Sequence, residues 1–424
     1  MPTRRLAVPL VALAVAVSTL APTSTAAEGA PAADHVVLIA FDGFDARYLD
    51  RGVRTPNIDA LARRGSVTTA TGVMQSITSP SWASVATGAF PERHLNTAYW
   101  YDATANVVRG QGRRLAVETL GEALRAEGRT VASVQFFMER GKAVTHGDPE
   151  ALYTQPAGSC AERVDEAVPL LLRKRVLSGE DLVSVPRAPA YLAVYCSDLD
   201  SKGHRVGGGH PAIDRILADL DEQVGRLVRA TQRAGIYGRT VFVITGDHGM
   251  TTYDKAIGPY LLAAVERAGF AGEFVAAHAS PAPETDVVIV VGEGASVHLR
   301  GAARADPTAV QRLEAELERV PHVAQVLDKE EQAELRMSPL MGELVVEPAD
   351  GWTTGLTAPA GPAGRHGTTR ERFVPLVLAG AGVLPETPPA APRLVDIAPT
   401  VAYLLGERPP AGSQGRVLFE ALQQ

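Results

Sequence analysis

Short runs of consecutive apolar residues alternate along the chain with stretches in which apolar residues recur every three or four positions. Apolar runs bounded by turn residues predict buried strands, and the spaced pattern predicts amphipathic helices. Four segments predict such strands: HVVLIAF from position 35, AYLAVYC from 190, TVFVIT from 240 and RFVPLVLAG from 372. The longest helical pattern is IDRILADLDEQVGRLVRATQRAG, in which the apolar residues with helical spacing are Ile213, Ile216, Leu217, Leu220, Val224 and Leu227.

Shorter helices are predicted between and after these strands. TPNIDALARRG indicates a capped helix that ends at Gly65, and SPSWASVATG begins with the serine and proline typical of a helix start. RLAVETLGEALRAEGRTVASVQ predicts a helix, a break at Gly128 and a strand, and LVDIAPTVAYLLG predicts a late helix. Since the strands alternate with helices and are apolar throughout, the pattern favours an α/β layered fold with a mostly parallel sheet that is covered on both sides.

The stretch from about residue 270 to residue 350 has a different pattern. DVVIVVGEGASVHLRG, TAVQRLEAELERV and VAQVLD follow one another there and are typical of a small strand–helix–strand unit. We expect an inserted α+β subdomain that lies beside or over the main sheet, within one large domain that extends over residues 34–424.

The N-terminal residues predict export. Arg4 and Arg5 form a positive region, an apolar run from Leu6 to Ala21 follows, and Ser24 to Ala27 supplies small residues for cleavage. This is the pattern of a secretory signal peptide over residues 1–27, so we expect a secreted or extracytoplasmic protein. An uncleaved membrane anchor is the alternative, but the run is short for a span, and no later segment is long and apolar enough to cross a bilayer. No stable membrane span is therefore expected after cleavage.

Composition narrows the range of partners. The chain has 424 residues, of which 46% are hydrophobic, and a formal net charge of −7 at pH 7. It contains no cluster of lysine and arginine, so duplex nucleic acid is not an expected partner. The only cysteines are Cys160 and Cys196. In an exported protein they form either one disulfide or two buried thiols, and the sequence leaves both states open.

Three apolar strands run into aspartates, and three histidines lie close to these acids or lead into the late strand. In parallel α/β sheets the carboxyl ends of the strands face a common crevice, so acids that follow different strands are expected to converge. Each residue taken singly also has a structural explanation, such as a helix cap or a turn. Glycines beside several of them favour a metal site, because glycine allows the backbone to approach an ion closely. The six residues are Asp42, Asp200, His204, Asp247, His248 and His366.

This donor set predicts the chemistry. Aspartate oxygen and histidine nitrogen suit zinc and also tolerate manganese or iron. Six ligands are too many for one tetrahedral ion with an open position, and they divide naturally into two sets of three. Two metals about 4 Å apart would clamp the attacking and leaving oxygens of a phosphoryl transfer. The negative net charge does not exclude an anionic substrate, because the metals supply positive charge locally.

The segment VMQSITSPSWASVATGAFPERH offers a protein nucleophile. Thr78 lies just ahead of Pro80 at the predicted start of a helix, where the helix N-terminus favours both a bound phosphate and an alkoxide. A simple helix cap is the alternative role for Thr78 or Ser79. From spacing alone, the candidates are Ser76, Thr78, Ser79 and Ser81.

In their order along the chain, AFDGF, ITSPSWASVATG, DLDSKGH, TGDHGM and RHG resemble the motifs of the alkaline phosphatase superfamily, in particular its nucleotide pyrophosphatase/phosphodiesterase (type I phosphodiesterase) family. The resemblance runs from His35 to Leu418 and implies a layered α/β/α alkaline-phosphatase-like catalytic domain with two zinc ions per chain. It implies that Thr78 is the nucleophile, binds the second zinc through its oxygen and forms a phospho-threonine intermediate. The implied ligand sets are Asp200, His204 and His366 for one zinc, and Asp42, Asp247 and His248 for the other.

One part of the family pattern is absent. Many diesterases of this family carry an asparagine downstream of the nucleophile, in an HGIVGN-like run, that donates to a phosphoryl oxygen. Here the run is HLNTAYWYD, with Tyr99 at the matching position. Tyr99 is expected either to donate that hydrogen bond or to belong to an aromatic patch in the substrate wall or the core. The sulfatase branch requires a C/S-x-P-x-R pattern, and Thr78 and the missing arginine both speak against that branch.

We therefore expect a metal-dependent phosphoric ester hydrolase, a phosphodiesterase or nucleotide pyrophosphatase that acts on a small-molecule phosphate ester or nucleotide. A phosphomonoesterase and a phosphonoacetate-type phosphonate hydrolase are the alternative enzymes. A secreted binding protein that holds metals without catalysis is the alternative of a different class, and the presence of Thr78 speaks against it. The sequence does not define an oligomeric state.

Overall fold

The computed structural model describes residues 31–423, whose regular structure consists of nineteen strands, twelve α-helices and five short 3-10 helices. The strands are β1 (His35–Phe41), β2 (Gly65–Thr71), β3 (Trp100–Asp102), β4 (Val107–Arg109), β5 (Val131–Val134), β6 (Ala151–Thr154), β7 (Arg175–Ser178), β8 (Asp181–Ser184), β9 (Tyr191–Cys196), β10 (Thr240–Thr245), β11 (Thr251–Ala256), β12 (Gly272–Val275), β13 (Val287–Val290), β14 (Ala295–Leu299), β15 (Val323–Leu327), β16 (Leu344–Pro348), β17 (Gly351–Thr353), β18 (Ala363–Arg365) and β19 (Phe373–Gly380). The helices are α1 (Pro56–Ala62), α2 (Thr78–Thr87), α3 (Pro91–His94), α4 (Leu120–Ala126), α5 (Cys160–Leu171), α6 (Asp198–Val206), α7 (Ala212–Arg233), α8 (Gly258–Arg267), α9 (Gly301–Ala305), α10 (Ala309–Glu318), α11 (Lys329–Glu334) and α12 (Ile397–Leu404).

Seven strands form the central sheet, in the order β2-β19-β10-β1-β9-β5-β6. The five strands from β10 to β6 are parallel to one another, and β19 pairs antiparallel with both β10 and β2. Every residue of β1 after His35 is buried, as a strand with both faces covered requires. The predicted mostly parallel, two-sided sheet is confirmed by this pairing.

Each face of the central sheet has its own apolar core, because successive residues of a strand point to opposite faces. One face packs in a cluster that includes Trp82 of α2 and Val401 of α12. The other face packs in a cluster that includes Val164 of α5 and Leu217 of α7. Helices therefore cover the sheet on both sides in an α/β/α arrangement.

A second sheet of five strands, in the order β12-β13-β14-β16-β15, lies within residues 272–348. Of its pairings, β12 with β13 is parallel and the others are antiparallel. Its core contains Val297 and Leu344 from the sheet and Leu313 from α10. The stretch holds more strands than the predicted strand–helix–strand unit, because DVVIVVGEGASVHLRG turns back on itself as β13 and β14. Its description as a subdomain inserted into a catalytic domain of residues 34–424 stays our proposal.

Smaller elements complete the described part of the chain. The strands β17, β11 and β18 form a three-stranded sheet, and β3 with β4 and β7 with β8 form hairpins. Cys160, the first residue of α5, and Cys196, the last residue of β9, form a disulfide. Of the two cysteine states that the sequence leaves open, the structure has the bonded one.

Two helix boundaries differ from the predictions. Gly65 does not end α1 but begins β2, and a Cβ at this position would lie 2.2 Å from the carbonyl oxygen of Leu378 on β19. Close pairing of two strands, not a helix end, therefore requires this glycine. The helix predicted at the start of RLAVETLGEALRAEG begins only at Leu120, because Thr119 and Glu122 form a capping box.

The signal peptide predicted over residues 1–27 lies outside the described residues. Within residues 31–423, no helix has the length and apolar character needed to span a bilayer.

Candidate active site

Adjacent strands of the central sheet bring the three aspartates together. Asp42 directly follows β1, and Asp247 comes two residues after β10. Asp200 lies on α6, which begins two positions after the end of β9. Because β10, β1 and β9 are parallel neighbours, their carboxyl ends open at the same edge of the sheet. At that edge the amide of Asp200 donates to the carbonyl oxygen of Asp42 at 3.1 Å.

The three histidines reach this edge from different elements. His204 lies on α6, one helical turn after Asp200. His248 directly follows the aspartate beyond β10, and His366 directly follows β18. Since β18 pairs antiparallel with β11, which begins shortly after His248, the small sheet returns His366 to the site.

Asp200 contacts two of the histidines. Its Oδ1 lies 3.1 Å from His204 Nε2 and 3.5 Å from His366 Nε2. The two imidazoles approach each other with 3.2 Å between their Nε2 atoms. The three residues that the family resemblance implies for one metal are therefore close together.

The other three predicted ligands form a second contact group. His248 Nε2 lies 3.3 Å from Asp42 Oδ1 and 3.4 Å from Asp247 Oδ2. The ring of His248 also stacks on that of His366, with centroids 3.4 Å apart. The structure thus brings all six predicted donors into one cluster.

Two groups of three possible ligand atoms lie within 4.8 Å of one another: Asp42, Asp247 and His248, and Asp200, His248 and His366. The first group is the set implied for one metal. In the second group His248 stands where the resemblance implies His204, although His204 also contacts Asp200. His248 therefore lies between the two groups, and the assignment of each residue to a particular ion stays a prediction.

The unpaired atoms of the cluster fit a divalent cation. Three buried carboxylate oxygens accept no hydrogen bond from the described residues: Asp42 Oδ1, Asp200 Oδ1 and Asp247 Oδ2. Buried carboxylate oxygens without a partner are costly unless a cation binds them. Oxygen and nitrogen donors of this kind suit zinc and related divalent metals.

The histidines are oriented as metal ligands usually are. Each Nδ1 lies 2.9–3.0 Å from a backbone carbonyl oxygen, those of Gly364, Gly249 and Ser76 for His204, His248 and His366 respectively. In the neutral imidazole that binds a metal, a proton on Nδ1 that is donated to a carbonyl leaves the lone pair of Nε2 directed at the carboxylates.

The electrostatics of the cluster also favour a cation. Burial raises the pKa of Asp247 well above its usual value, and the Asp42 carboxylate adds to the rise. Burial lowers the pKa of His248, but the charges of Asp247 and Asp42 outweigh burial and raise the pKa to about 10. Burial and the positive charge of His248 hold the pKa of His366 well below its usual value. A divalent cation would neutralise the crowded carboxylates without protonating them.

Thr78 is the first residue of α2, and its Oγ1 lies 3.3 Å from His248 Nε2. The other hydroxyls of the segment have different surroundings. Ser76 Oγ donates to the carbonyl oxygen of Thr368 at 2.6 Å, and Ser79 Oγ donates to Gln111 Oε1 at 2.9 Å. Ser81 Oγ is buried without a hydrogen-bond partner among the described residues. Of the four candidate nucleophiles, Thr78 is the one whose hydroxyl contacts a predicted ligand.

Sequence patterns do not identify Gln111, which lies beside the start of α2. Its Oε1 accepts from the amide of Ser79 at 3.3 Å, and its Nε2 donates to the hydroxyl of Tyr99 at 3.2 Å. Asn96 Nδ2 donates to the carbonyl oxygen of Gly112 at 2.9 Å and so anchors the loop of Gln111. Gln111 follows β4 in an exposed polar stretch without a motif, and only the tertiary contacts place it beside the residue after Thr78.

Comparison with known proteins identifies a family that this chain matches. The family model described as type I phosphodiesterase / nucleotide pyrophosphatase matches residues 36–369. The chain is similar to human ectonucleotide pyrophosphatase/phosphodiesterase family member 7, with 28% identity over 267 residues that cover 59% of this chain and 56% of the relative. The chain spans about half the length of the curated relatives it matches.

Two solved structures show the same fold. Human ectonucleotide pyrophosphatase/phosphodiesterase 5 matches with a TM-score of 0.66 and 18% identity, over 88% of this chain and 96% of that chain. An inactive threonine-to-alanine variant of the murine protein, in complex with AMP, matches with a TM-score of 0.67 and 17% identity, over 89% and 96% of the two chains. The expected alkaline-phosphatase-like α/β fold is confirmed. The chain belongs to the type I phosphodiesterase/nucleotide pyrophosphatase family of the alkaline phosphatase superfamily.

Proposed function

We propose that this chain is a phosphodiesterase or nucleotide pyrophosphatase that uses two zinc ions and a phospho-threonine intermediate on Thr78. Membership of the family supports hydrolysis of phosphoric ester or phosphoanhydride bonds. The observation that carries the proposal is the 3.3 Å approach of Thr78 Oγ1 to His248 Nε2 at the start of a helix. A nucleophilic hydroxyl has to be near the groups that activate it, and the neighbouring serine hydroxyls lack such a contact.

The six clustered donors would hold the two ions. Bound zinc would supply Lewis-acid charge that lowers the pKa of the Thr78 hydroxyl and offsets the negative charge of the phosphoryl oxygens. The backbone carbonyls that accept from each Nδ1 keep the imidazoles in one orientation, so the donors are arranged before an ion arrives. The donor residues are Asp42, Asp200, His204, Asp247, His248 and His366.

Thr78 would carry the covalent chemistry. Its Oγ1 forms a bond to phosphorus as the bond from phosphorus to the leaving oxygen breaks; the hydroxyl proton goes to solvent, and the leaving oxygen takes up a proton. Water then attacks the same phosphorus, the bond to Oγ1 breaks, and Thr78 regains its proton. The N-terminal end of α2, where Thr78 lies, favours the negative charge that develops in both steps.

We propose a nucleotide or another small phosphodiester as the substrate. The murine relative is described in complex with AMP, which supports a nucleotide. Tyr99 and Gln111 add uncharged hydrogen-bonding groups beside Ser79. Because these groups add no positive charge, they suit the single charge of a diester phosphoryl group better than the two charges of a monoester.

We also propose that the protein functions outside the cytoplasm. The disulfide between Cys160 and Cys196 is typical of oxidising compartments. The human relative is named an ectonucleotide pyrophosphatase/phosphodiesterase. Both agree with the predicted signal peptide.

Steady-state kinetics with the purified, zinc-loaded protein test the substrate class. We expect a higher kcat/KM for an aryl phosphodiester or a nucleotide diphosphate than for an aryl phosphate or phosphonoacetate. A preference for the aryl phosphate would make the protein a monoesterase, and a preference for phosphonoacetate would make it a phosphonate hydrolase. Turnover of none of the four would favour a binding protein.

Thr78→Ala tests the nucleophile. It should lower kcat by at least about a thousandfold because the covalent route is lost, whereas Ser81→Ala should leave kcat within about threefold of wild type. Acid quench followed by mass spectrometry should find a phosphoryl group on Thr78 in the wild type. An active Thr78→Ala enzyme together with an inactive Ser79→Ala enzyme would assign the nucleophile to Ser79 instead.

A further inference from the structure

One turn of the second sheet reaches the edge of the central sheet where the predicted ligands lie. Residues 291–294 join β13 to β14, and we call them the insert turn. Its side chains and backbone contact the segment that carries His366, the segment that leads to Thr78, and the ring of Tyr99. No sequence motif connects this turn to the site.

Glu293 of the insert turn forms a buried ion pair with Arg365, the residue directly before His366. Arg365 Nη1 donates to Glu293 Oε2 at 3.3 Å, and the two side chains are 2% and 14% exposed respectively. The hydroxyl of Thr353 and the amide of Thr354 also donate to this carboxylate. A buried charge that loses its partner is strongly destabilising, so the pair restricts where the backbone before His366 can lie.

Backbone packing holds the other side of His366. A Cβ on Gly294 would lie 2.6 Å from the carbonyl oxygen of Gly367, and a Cβ on Gly367 would lie 2.7 Å from the carbonyl oxygen of Glu293. Both glycines have positive φ angles, of +62° and +134°, which other residues rarely adopt. The insert turn therefore contacts the residues on both sides of His366, Arg365 by a side chain and Gly367 by the backbone.

The same turn contacts the nucleophile segment. Gln75 Nε2 donates to the carbonyl oxygen of Gly294 at 2.7 Å. The next residue, Ser76, accepts from His366 Nδ1 at 3.0 Å, and Thr78 follows two residues later. Gly292 lies against the ring of Tyr99, where a Cβ would be 3.4 Å from Cδ2. The contacts of the insert turn thus extend from the metal ligand to the predicted substrate wall.

We propose that Glu293 is a positioning residue for the metal centre: through Arg365 it fixes the orientation of His366, and the insert turn makes the second sheet a required part of the site. Glu293 acts by keeping His366 Nε2 near Asp200 Oδ1, 3.5 Å away. Groups that hydrogen-bond directly to metal ligands change metal affinity or activity by about 10- to 100-fold when they are removed. Glu293 acts one residue further from the ion, so we expect an effect at the lower end of that range. The catalytic part of this inference rests on the proposed function, and the metal-affinity part does not depend on turnover.

Glu293→Gln tests the inference, with Glu343→Gln as the matched control. Glu343 belongs to the same sheet region and accepts from the amide of Leu299 at 2.9 Å. Zinc affinity is measured by competition with a chromophoric chelator, and kcat and KM are measured on the zinc-loaded protein. We expect Glu293→Gln to weaken zinc binding by about tenfold and to lower kcat more than it changes KM. Glu343→Gln should keep both quantities within about twofold of wild type.

Wild-type zinc affinity in a folded Glu293→Gln protein would overturn the inference, and so would an equal loss in Glu343→Gln. Circular dichroism shows whether the variants fold. Should Glu293→Gln not fold, Glu293→Asp keeps the charge but draws it back from Arg365; weakened zinc binding there supports the inference, and unchanged binding overturns it. Absence of turnover by the wild type would contradict the proposed function alone, because the zinc titration does not need turnover.

Discussion

The buried histidines of this protein lie in two kinds of surroundings. At the edge of the central sheet, His248 and His366 direct Nε2 at carboxylates and Nδ1 at backbone carbonyls. His94, the last residue of α3, is equally buried but has neutral partners: its Nε2 lies 3.0 Å from Ser84 Oγ, and its Nδ1 accepts from the amide of Asn96 at 3.0 Å. His298 in the second sheet resembles His94, with its Nε2 2.8 Å from a serine hydroxyl.

The difference shows that burial alone does not distinguish the two kinds of histidine, and that the neighbouring groups do. Burial lowers the pKa of His94 and of His298 to about 3. The same burial acts on His248, but two carboxylates outweigh it and raise the pKa to about 10. An imidazole that is satisfied by a hydroxyl or an amide is structural. An imidazole beside carboxylate oxygens that lack donors has the surroundings of a metal ligand.

Among the tests of this comparison, removal of metal should have the largest effect on activity. Excess chelator should abolish hydrolysis of an aryl phosphodiester, and added zinc should restore it, because the crowded carboxylates need a cation. Asp247→Asn should lose zinc measured by atomic absorption, whereas folded His94→Asn should keep the wild-type zinc content. Full activity in excess chelator, or loss of zinc from His94→Asn, would contradict the division into ligand and structural histidines.

Acid should destabilise the protein through the structural histidines. His94 stays neutral in the folded chain down to a pKa of about 3, whereas the ordinary value is 6.5. Between these values the unfolded chain binds more protons, so the free energy of unfolding falls as pH decreases below 6.5. The loss from this histidine should be about 2 kcal/mol by pH 5.

Denaturant unfolding from pH 7 to pH 5 measures this loss in wild type and His94→Gln. Chelator is present throughout so that zinc release does not contribute. The free energy of unfolding should fall less steeply in the variant than in the wild type. An equal pH dependence of the free energy of unfolding in the two proteins would show that His94 gains a proton in the folded state as readily as in the unfolded chain.

The smallest effect on activity is expected from a substitution at the rim of the site. Gln111 is exposed, so water can replace its contacts with Ser79 and Tyr99. Gln111→Ala should raise KM about two- to fivefold, as expected for one lost hydrogen bond, and should leave zinc affinity unchanged. Steady-state kinetics and the chelator competition measure both quantities. A fall in zinc affinity would contradict this prediction and would show that Gln111 helps to orient the metal ligands.

The pattern of apolar residues was sufficient to predict the elements whose surroundings are uniform along their length. The strands β1, β9 and β10 are covered on both faces and therefore require uninterrupted apolar runs, and α7 has one buried face and therefore requires helical spacing. The start of β2 could not be predicted in this way. Gly65 is needed there because of Leu378, a residue far along the chain, and a glycine after a helical pattern indicates a helix end by itself.

The candidate site was predictable to a similar extent. Acids and histidines near glycine predict the six clustered residues, and parallel strands that open at one edge explain why the three aspartates converge. Spacing could not separate Thr78 from Ser76, Ser79 and Ser81, because all four precede or begin the same helix. Their hydroxyls differ in tertiary partners alone: a predicted ligand, a backbone carbonyl, an amide side chain or none among the described residues.

The sequence by itself determined the family and the mostly parallel α/β fold, and it predicted the six residues that cluster at one edge of the sheet, because these depend on residue types and on their order along the chain. The tertiary structure decided that His248 lies between two ligand groups, that Gln111 lies beside the start of α2 and that Glu293 contacts Arg365. Each of these three features involves a loop residue, namely His248, Gln111 or Glu293, that meets a residue of a different element. Loops have no periodic pattern, so their contacts depend on how the strands and helices pack.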